Sequence, residues 1–162
     1  MMAPRAASAR PRINHPEDPV AADIRFINPE NLVRSPAYTQ VVEVMAPGRT
    51  IYVSGQLGTT RDGKLAGGDF PAQAEQVFQN LKAALAAAGA GFADVVKMVS
   101  YLKDTAHLPM LREARARHLN LAALPASTTI GGISFALEGA LLEIEVIAVV
   151  PTARQVRTSA TS

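Results

Sequence analysis

Residues 141–150, LLEIEVIAVV, constrain the fold most, because they have the pattern of a β-strand that is largely apolar on both faces. Successive side chains of a strand point to opposite sides of its sheet. One side of this strand carries only apolar residues: Leu142, Ile144, Val146, Ala148 and Val150. The other side carries two carboxylates among apolar residues: Leu141, Glu143, Glu145, Ile147 and Val149. A sheet built around this strand therefore needs a cover on both faces.

The other elements predict an α+β domain. Residues 40–45 and 50–56 are β-rich and predict a hairpin whose turn is built on Pro47 and Gly48. A helix is predicted from a cap at Asp69 to Gly89, and a second helix over 105–119 with Pro109 in its first turn. Further strands are predicted over 94–102, 127–135 and 141–150. The order β-β-α-β-α-β-β predicts two layers, with a mixed sheet and both helices on one of its faces.

The uncovered face of this sheet predicts self-association. Two helices can cover only one face, so the second face needs another subunit or a long loop. We expect a homo-oligomer, with a covering loop as the alternative.

Charge is distributed unevenly along the chain. The five basic residues at the two ends leave eleven basic and fourteen acidic groups in residues 13–150, so the body is mildly acidic and a poor match for nucleic acid.

Residues 1–23 and 152–162 predict flexible extensions around a single domain, 24–151. With no cysteine and no apolar run long enough to span a membrane or act as a secretion signal, we expect a cytoplasmic protein with no membrane partner.

Several common catalytic and cofactor motifs are missing from the sequence. His15, His107 and His118 lack metal-ligand spacing, so no metal site is predicted, and we expect these histidines on the surface. The glycines between 55 and 68 match no phosphate-binding loop, and no nucleophile elbow occurs.

Polar residues inside apolar strands are the remaining candidates for a site. A carboxylate such as Glu143 or Glu145 on an apolar face is either functional, orienting a water, or paired with backbone or arginine groups. Ser54 and Gly55 end one strand, Ser127 to Thr129 open another, and both offer donors to a carbonyl-like group. The Tyr38 side chain either reaches into a pocket or only packs against neighbouring residues.

Six segments, in order and at the right spacing, resemble the RidA/YjgF (Rid) family of enamine/imine deaminases, formerly called L-PSP endoribonucleases. The segments are SPAYTQ at 35–40, YVSGQL at 52–57, the helix at 72–89, DVVK at 94–97 with LKD at 102–104, LPA at 124–126 and EIE at 143–145. The resemblance covers about residues 32–151. It implies a chorismate-mutase-like fold, a homotrimer with small-molecule pockets between subunits, and hydrolysis without a cofactor.

The resemblance also assigns roles to single residues. Glu143 matches the glutamate that positions the hydrolytic water, and Tyr38 matches a tyrosine over the pocket. Gly55 and Thr129 match positions whose backbone lines the site. The implied reaction converts 2-aminoacrylate-type enamines and their imines to 2-keto acids and ammonia.

Ser127 departs from the family pattern. The deaminases carry there an arginine that binds the substrate carboxylate, and serine cannot form such a bidentate contact. Either the substrate has changed, with Ser127, Thr128 and Thr129 as donors, or another cation replaces the arginine. Arg112 and Arg115 are the candidates for that cation, and the alternative is that they lie with Arg117 on a solvated helix face.

Three functions follow from these observations. The first is a Rid-type hydrolase with altered carboxylate recognition. The second is a small-molecule-binding or chaperone-like protein that has lost deamination, which Ser127 favours. The third is a ribonuclease, against which the acidic body and the lack of a histidine pair argue.

Overall fold

The computed structural model describes residues 24–45 and 48–151. Its strands are β1 (Ile24–Ile27), β2 (Val41–Val44), β3 (Gly48–Leu57), β4 (Val95–Leu102), β5 (Ala126–Gly131) and β6 (Leu142–Pro151). Its helices are α1 (Phe70–Ala87) and α2 (Leu108–His118), and the 3₁₀ turns Phe92–Asp94 and Thr105–His107 precede β4 and α2. The predicted extensions, 1–23 and 152–162, lie outside the described residues.

The predicted fold class is confirmed. Strands β3, β6, β4 and β5 form one sheet in that order, in which β4 and β5 are parallel and the other pairs antiparallel. Both helices lie against one face of this mixed sheet. The buried core between the layers combines α1, α2 and sheet residues, including Phe78, Leu81, Leu111, Met98 and Ile144.

Helix α1 begins and ends as its sequence predicts. The Asp69 side chain accepts a hydrogen bond from the amide of Ala72 at 2.9 Å, and Gly89 after the helix has a φ of +68°. That left-handed conformation favours glycine, so the helix ends there.

Buried Gln73 of α1 fixes the start of β6. Its amide nitrogen donates to the carbonyls of Gly67 and Gly139, and its amide oxygen accepts from the amide of Leu141 at 2.9 Å. These contacts hold the loop before β6 against the helix, two residues ahead of Glu143.

The predicted hairpin of 40–45 with 50–56 is wrong. Strand β2 pairs antiparallel with β1, which the sequence analysis did not identify, and these two strands form a separate sheet. Strand β3 pairs with β6 instead. The physical reason is length: β6 offers β3 a ladder along nearly its whole ten residues, whereas β2 has only four. Of the predicted turn, Gly48 belongs to β3 and Pro47 lies outside the described residues.

Two further expectations need correction. Strand β5 ends at Gly131 rather than at residue 135, because Gly132 turns the chain with a φ of +76°. His107 and His118 are half-buried rather than on the surface, and their rings stack on Phe70 and Phe78.

The two faces of β6 have different environments. Leu142, Ile144, Val146 and Ala148 are buried against the helices, whereas Val150, which the sequence places on the same side, is half-buried. Glu143, Glu145 and Ile147 point to the other face of the sheet and are half-buried in a single chain. We call this second face the outer face. Tyr52, which pairs with Ile147 across β3 and β6, is 77% exposed there.

Candidate functional site

Glu143 and Gly55 meet on the outer face. Across β3 and β6, Val53 pairs with Val146 and Gln56 with Ile144, so Ser54 and Gly55 together face the single residue Glu145 in a β-bulge. The bulge brings the Gly55 backbone under the Glu143 side chain. A Cβ atom at position 55 would lie 2.6 Å from Cδ of Glu143 and 2.9 Å from its Cγ. Only glycine, which has no Cβ atom, allows the Glu143 carboxylate to occupy this position.

Glu145 and Tyr101 complete this group, which we call the carboxylate cluster: Gly55, Tyr101, Glu143 and Glu145. Tyr101 of β4 pairs with Glu143 across the ladder. Desolvation, and then the charges of Glu145 and Glu143, raise the pKa of Tyr101. The phenol therefore stays protonated near neutral pH and remains a hydrogen-bond donor beside two carboxylates.

A second group surrounds a pocket of about 180 Å³ beside α2 and the edge strand β5. We call it the arginine pocket, lined among others by Tyr38, Arg112, Arg115, Ser127 and Thr129. The loop that carries Tyr38 is held beside β5 by Thr39, whose amide donates to the carbonyl of Pro125. None of the residues that line the pocket is acidic.

Arg115 is the buried member of the arginine pocket, with 6% of its surface exposed. Its Nη1 donates to Oγ of Ser127 at 3.2 Å, and its Nη2 donates to the carbonyl of Ala37 at 2.9 Å. Burial, and then the nearby charge of Arg112, lower the pKa of Arg115. The guanidinium still stays charged near neutral pH, since its unperturbed pKa is so high.

The arginines of α2 therefore do not form a single solvated face. Arg112 and Arg117 are exposed, but Arg115 is buried and touches Ser127, the position where the resemblance places an arginine. The sequence contains a signal for this burial. Arg115 lies four residues after Leu111 and four before Leu119, both buried, so it falls on the apolar stripe of the helix.

A single chain separates the predicted site residues into two groups. Ser127 pairs with buried Met98 and Thr129 with buried Ser100, so both face the helix side of the sheet. Glu143 lies on the outer face, with Gly55 against it and exposed Ser54 beside it in the bulge. Tyr38, Arg112, Ser127 and Thr129 line one pocket, and Glu143 is not among the residues that line it.

A larger hollow of about 440 Å³ adjoins the arginine pocket. It shares Arg112 and Arg115 with that pocket, and its remaining walls include Pro36, Leu121 and Leu124. The two arginines therefore stand between a polar pocket and an apolar one.

Within 24–45 and 48–151, no group of three or more His, Asp or Glu side chains is placed to hold a metal ion. Over the same residues, neither helix is long and apolar enough to cross a membrane.

Residues 32–150 match the family model described as Endoribonuclease L-PSP. The chain is 30% identical over 132 residues to a 2-iminobutanoate/2-iminopropanoate deaminase of Dermatophagoides farinae, covering 76% of this chain and 99% of the relative. It is 37% identical over 125 residues to the protein of the same name in Rattus norvegicus, covering 70% and 80%. It is also 37% identical to protein DfrA of Myxococcus xanthus over 113 residues, covering 69% and 84%.

Solved structures show the same fold. The Rid-family protein YyfB of Yersinia pestis superposes with a TM-score of 0.70 at 34% identity, covering 79% of this chain and 99% of the other. RidA of an Antarctic Psychrobacter superposes with a TM-score of 0.58 at 32% identity, covering 87% and 100%.

Proposed function

The chain belongs to the endoribonuclease L-PSP (Rid) family, and we propose that it is a cofactor-independent hydrolase that deaminates small enamines or imines. The observation that carries this proposal is the fit between Gly55 and the Glu143 carboxylate on the outer face. Two relatives named as imine deaminases support it. A carboxylate held in one place over an open backbone can orient and deprotonate a water molecule.

The proposed reaction is hydrolysis of a C=N bond. Glu143 accepts a proton from a water whose oxygen adds to the imine carbon and passes that proton to the imine nitrogen, which gives a tetrahedral carbinolamine. Glu143 then transfers the hydroxyl proton of the carbinolamine to the amino nitrogen, the C–N bond breaks with its electron pair on nitrogen, and ammonia and a keto product leave. An enamine enters the same path after it tautomerises to the imine.

We also propose that a complete site forms between two copies of the chain in a homotrimer. The carboxylate cluster of one copy would face the arginine pocket of the next, since a single chain places them on different sides of the sheet. Exposed Tyr52 and half-buried Ile147 support this, because an apolar outer face needs a cover. Ser54 would then offer its hydroxyl at the rim of the site.

Turnover of imines made in place by an amino-acid oxidase tests the activity. We expect keto acid and ammonia to appear faster than in buffer, and Glu143→Gln to lower the rate roughly 100-fold or more. Glu138→Gln is the matched control, because Glu138 is an exposed carboxylate on the loop before β6. Equal rates for wild type and Glu143→Gln would refute the mechanism.

A non-catalytic small-molecule-binding or chaperone-like role is the second candidate, favoured by Ser127 in place of the expected arginine. It predicts ligand binding with no acceleration for acidic, neutral or basic imines. A ribonuclease remains the less favoured third function. It predicts RNA cleavage that co-purifies with the protein and disappears in Glu143→Gln.

A further inference from the structure

Arg115 is a buried charge for which the described residues provide no opposite charge. A buried ionised group costs free energy unless it is paired or coordinates a ligand. The two described partners of Arg115 are neutral oxygens, the Ser127 hydroxyl and the Ala37 carbonyl. Within residues 24–45 and 48–151, no carboxylate lies within ion-pair distance of it.

Arg112 places a second positive charge on the same pocket. It lies one helical turn before Arg115, is exposed, and lines both adjoining hollows. Its charge is close enough to lower the pKa of Arg115. Two guanidinium groups that repel each other across a pocket without an acidic wall are complementary to a ligand with two negative charges.

The guanidinium of Arg115 still has free donors. It has five N–H groups, of which two are used by Ser127 and Ala37. Those two contacts fix the planar guanidinium of Arg115 at the pocket wall. The side chain therefore loses little conformational freedom when a carboxylate binds to it.

We infer that the arginine pocket is a dicarboxylate site, in which Arg115 binds the carboxylate next to the reacting carbon and Arg112 binds a second carboxylate at the other end of the ligand. The substrate class is then a 2-imino dicarboxylate. The claim about the substrate class rests on the proposed function, whereas the claim that the keto acid product binds in this pocket does not.

Calorimetry with two keto acids tests the site directly. The probes are 2-oxoglutarate, with two carboxylates, and 2-oxobutanoate, with one. We expect 2-oxoglutarate to bind the wild type about fivefold more tightly, and Arg112→Ala to remove that preference. Arg115→Met should weaken both keto acids by about tenfold to a hundredfold.

Controls separate loss of the site from loss of the fold. Arg117→Ala removes an exposed charge from the same helix, outside the pocket, and should change neither affinity. Arg115→Lys keeps the charge but not the planar fork, so its affinities should lie between those of wild type and Arg115→Met. Arg112 is exposed, so its variant tests the second carboxylate even where a change at Arg115 prevents folding.

Each result decides one of the two claims. Equal affinity of the wild type for both keto acids would overturn the inference, as would unchanged binding in Arg112→Ala or in both Arg115 variants. The predicted binding together with no imine turnover would refute the proposed function alone. Equal kcat/KM for imines of acidic and neutral amino acids would refute the inference and leave the hydrolase intact.

Discussion

Gly55→Ala is the sharpest test of how the Glu143 carboxylate is held. The added methyl carbon would overlap Oε1 of Glu143 and lie 2.6 Å from its Cδ, and carbon atoms in contact prefer about 3.5 Å, so the carboxyl group must retreat by about 1 Å or more. A misplacement of about 1 Å can cost about 100-fold in rate, and we expect a loss of that size in kcat/KM. Stability should change little, because the group that moves is the end of a flexible side chain.

The assay compares imine turnover and thermal unfolding in four variants. Gly68→Ala is the matched control, because a methyl group there meets nothing within 4 Å, and its turnover should equal that of wild type. The double variant with Gly55→Ala and Glu143→Gln should be no slower than Glu143→Gln alone, because both changes disable one group. Full activity in Gly55→Ala, or losses that multiply in the double variant, would refute this reasoning.

Three further predictions concern assembly, stability and pH. Tyr52→Lys places a charge on the outer face, so light scattering after gel filtration should show folded monomers; an unchanged oligomer would mean that this face is not the interface. Asn80→Ala removes two hydrogen bonds, to the carbonyls of Leu57 at the end of β3 and of Thr59, and should cost about 1–3 kcal/mol in denaturant unfolding, against about 0.5 kcal/mol or less for exposed Lys82→Ala. Hydrogen bonds from Gln79 and then His118 lower the pKa of Glu75, so its charged form contributes stability above the unfolded pKa and loses it as pH falls through the folded pKa. The melting temperature of Glu75→Gln should therefore lie below that of wild type near pH 7 and converge with it once the pH has fallen below the lowered pKa of Glu75.

The elements with strong local signals could be predicted from the sequence. Helix α1 has an apolar stripe, a cap at Asp69 and a stop at Gly89, and all three are present in the structure. The pairing of β2 could not be predicted in this way, because it depends on competition between distant strands. The short turn before Gly48 suggested a local hairpin, but β3 gains a longer ladder from β6.

The site was predictable as a set of residues but not as an arrangement. The sequence identified Glu143 and Gly55 without indicating that the carboxylate lies over the glycine, because that contact depends on a bulge in β3. It gave both Arg112 and Arg115 as candidates for the cation, whereas the structure buries Arg115 against Ser127 and leaves Arg112 exposed. Charge suggests exposure for both, and the sequence signal that distinguishes them is the place of Arg115 on the apolar stripe of α2, midway between Leu111 and Leu119.

The separation of the two groups within one chain leads to a test of the whole assembly. If the carboxylate cluster of one copy faces the arginine pocket of the next, two different surfaces meet, and in the proposed trimer three such contacts close a ring. Glu143→Gln copies keep an intact arginine pocket, and Arg115→Met copies keep an intact carboxylate cluster. In rings reassembled from an equal mixture, about one contact in four unites two intact halves, so about a quarter of wild-type turnover should return.

The control is a mixture of Glu143→Gln with Gly55→Ala. Both substitutions damage the carboxylate cluster, so no contact in these rings has an intact cluster and no turnover should return. Equal failure of both mixtures would mean that each site lies within a single chain, because no exchange of subunits can then restore it.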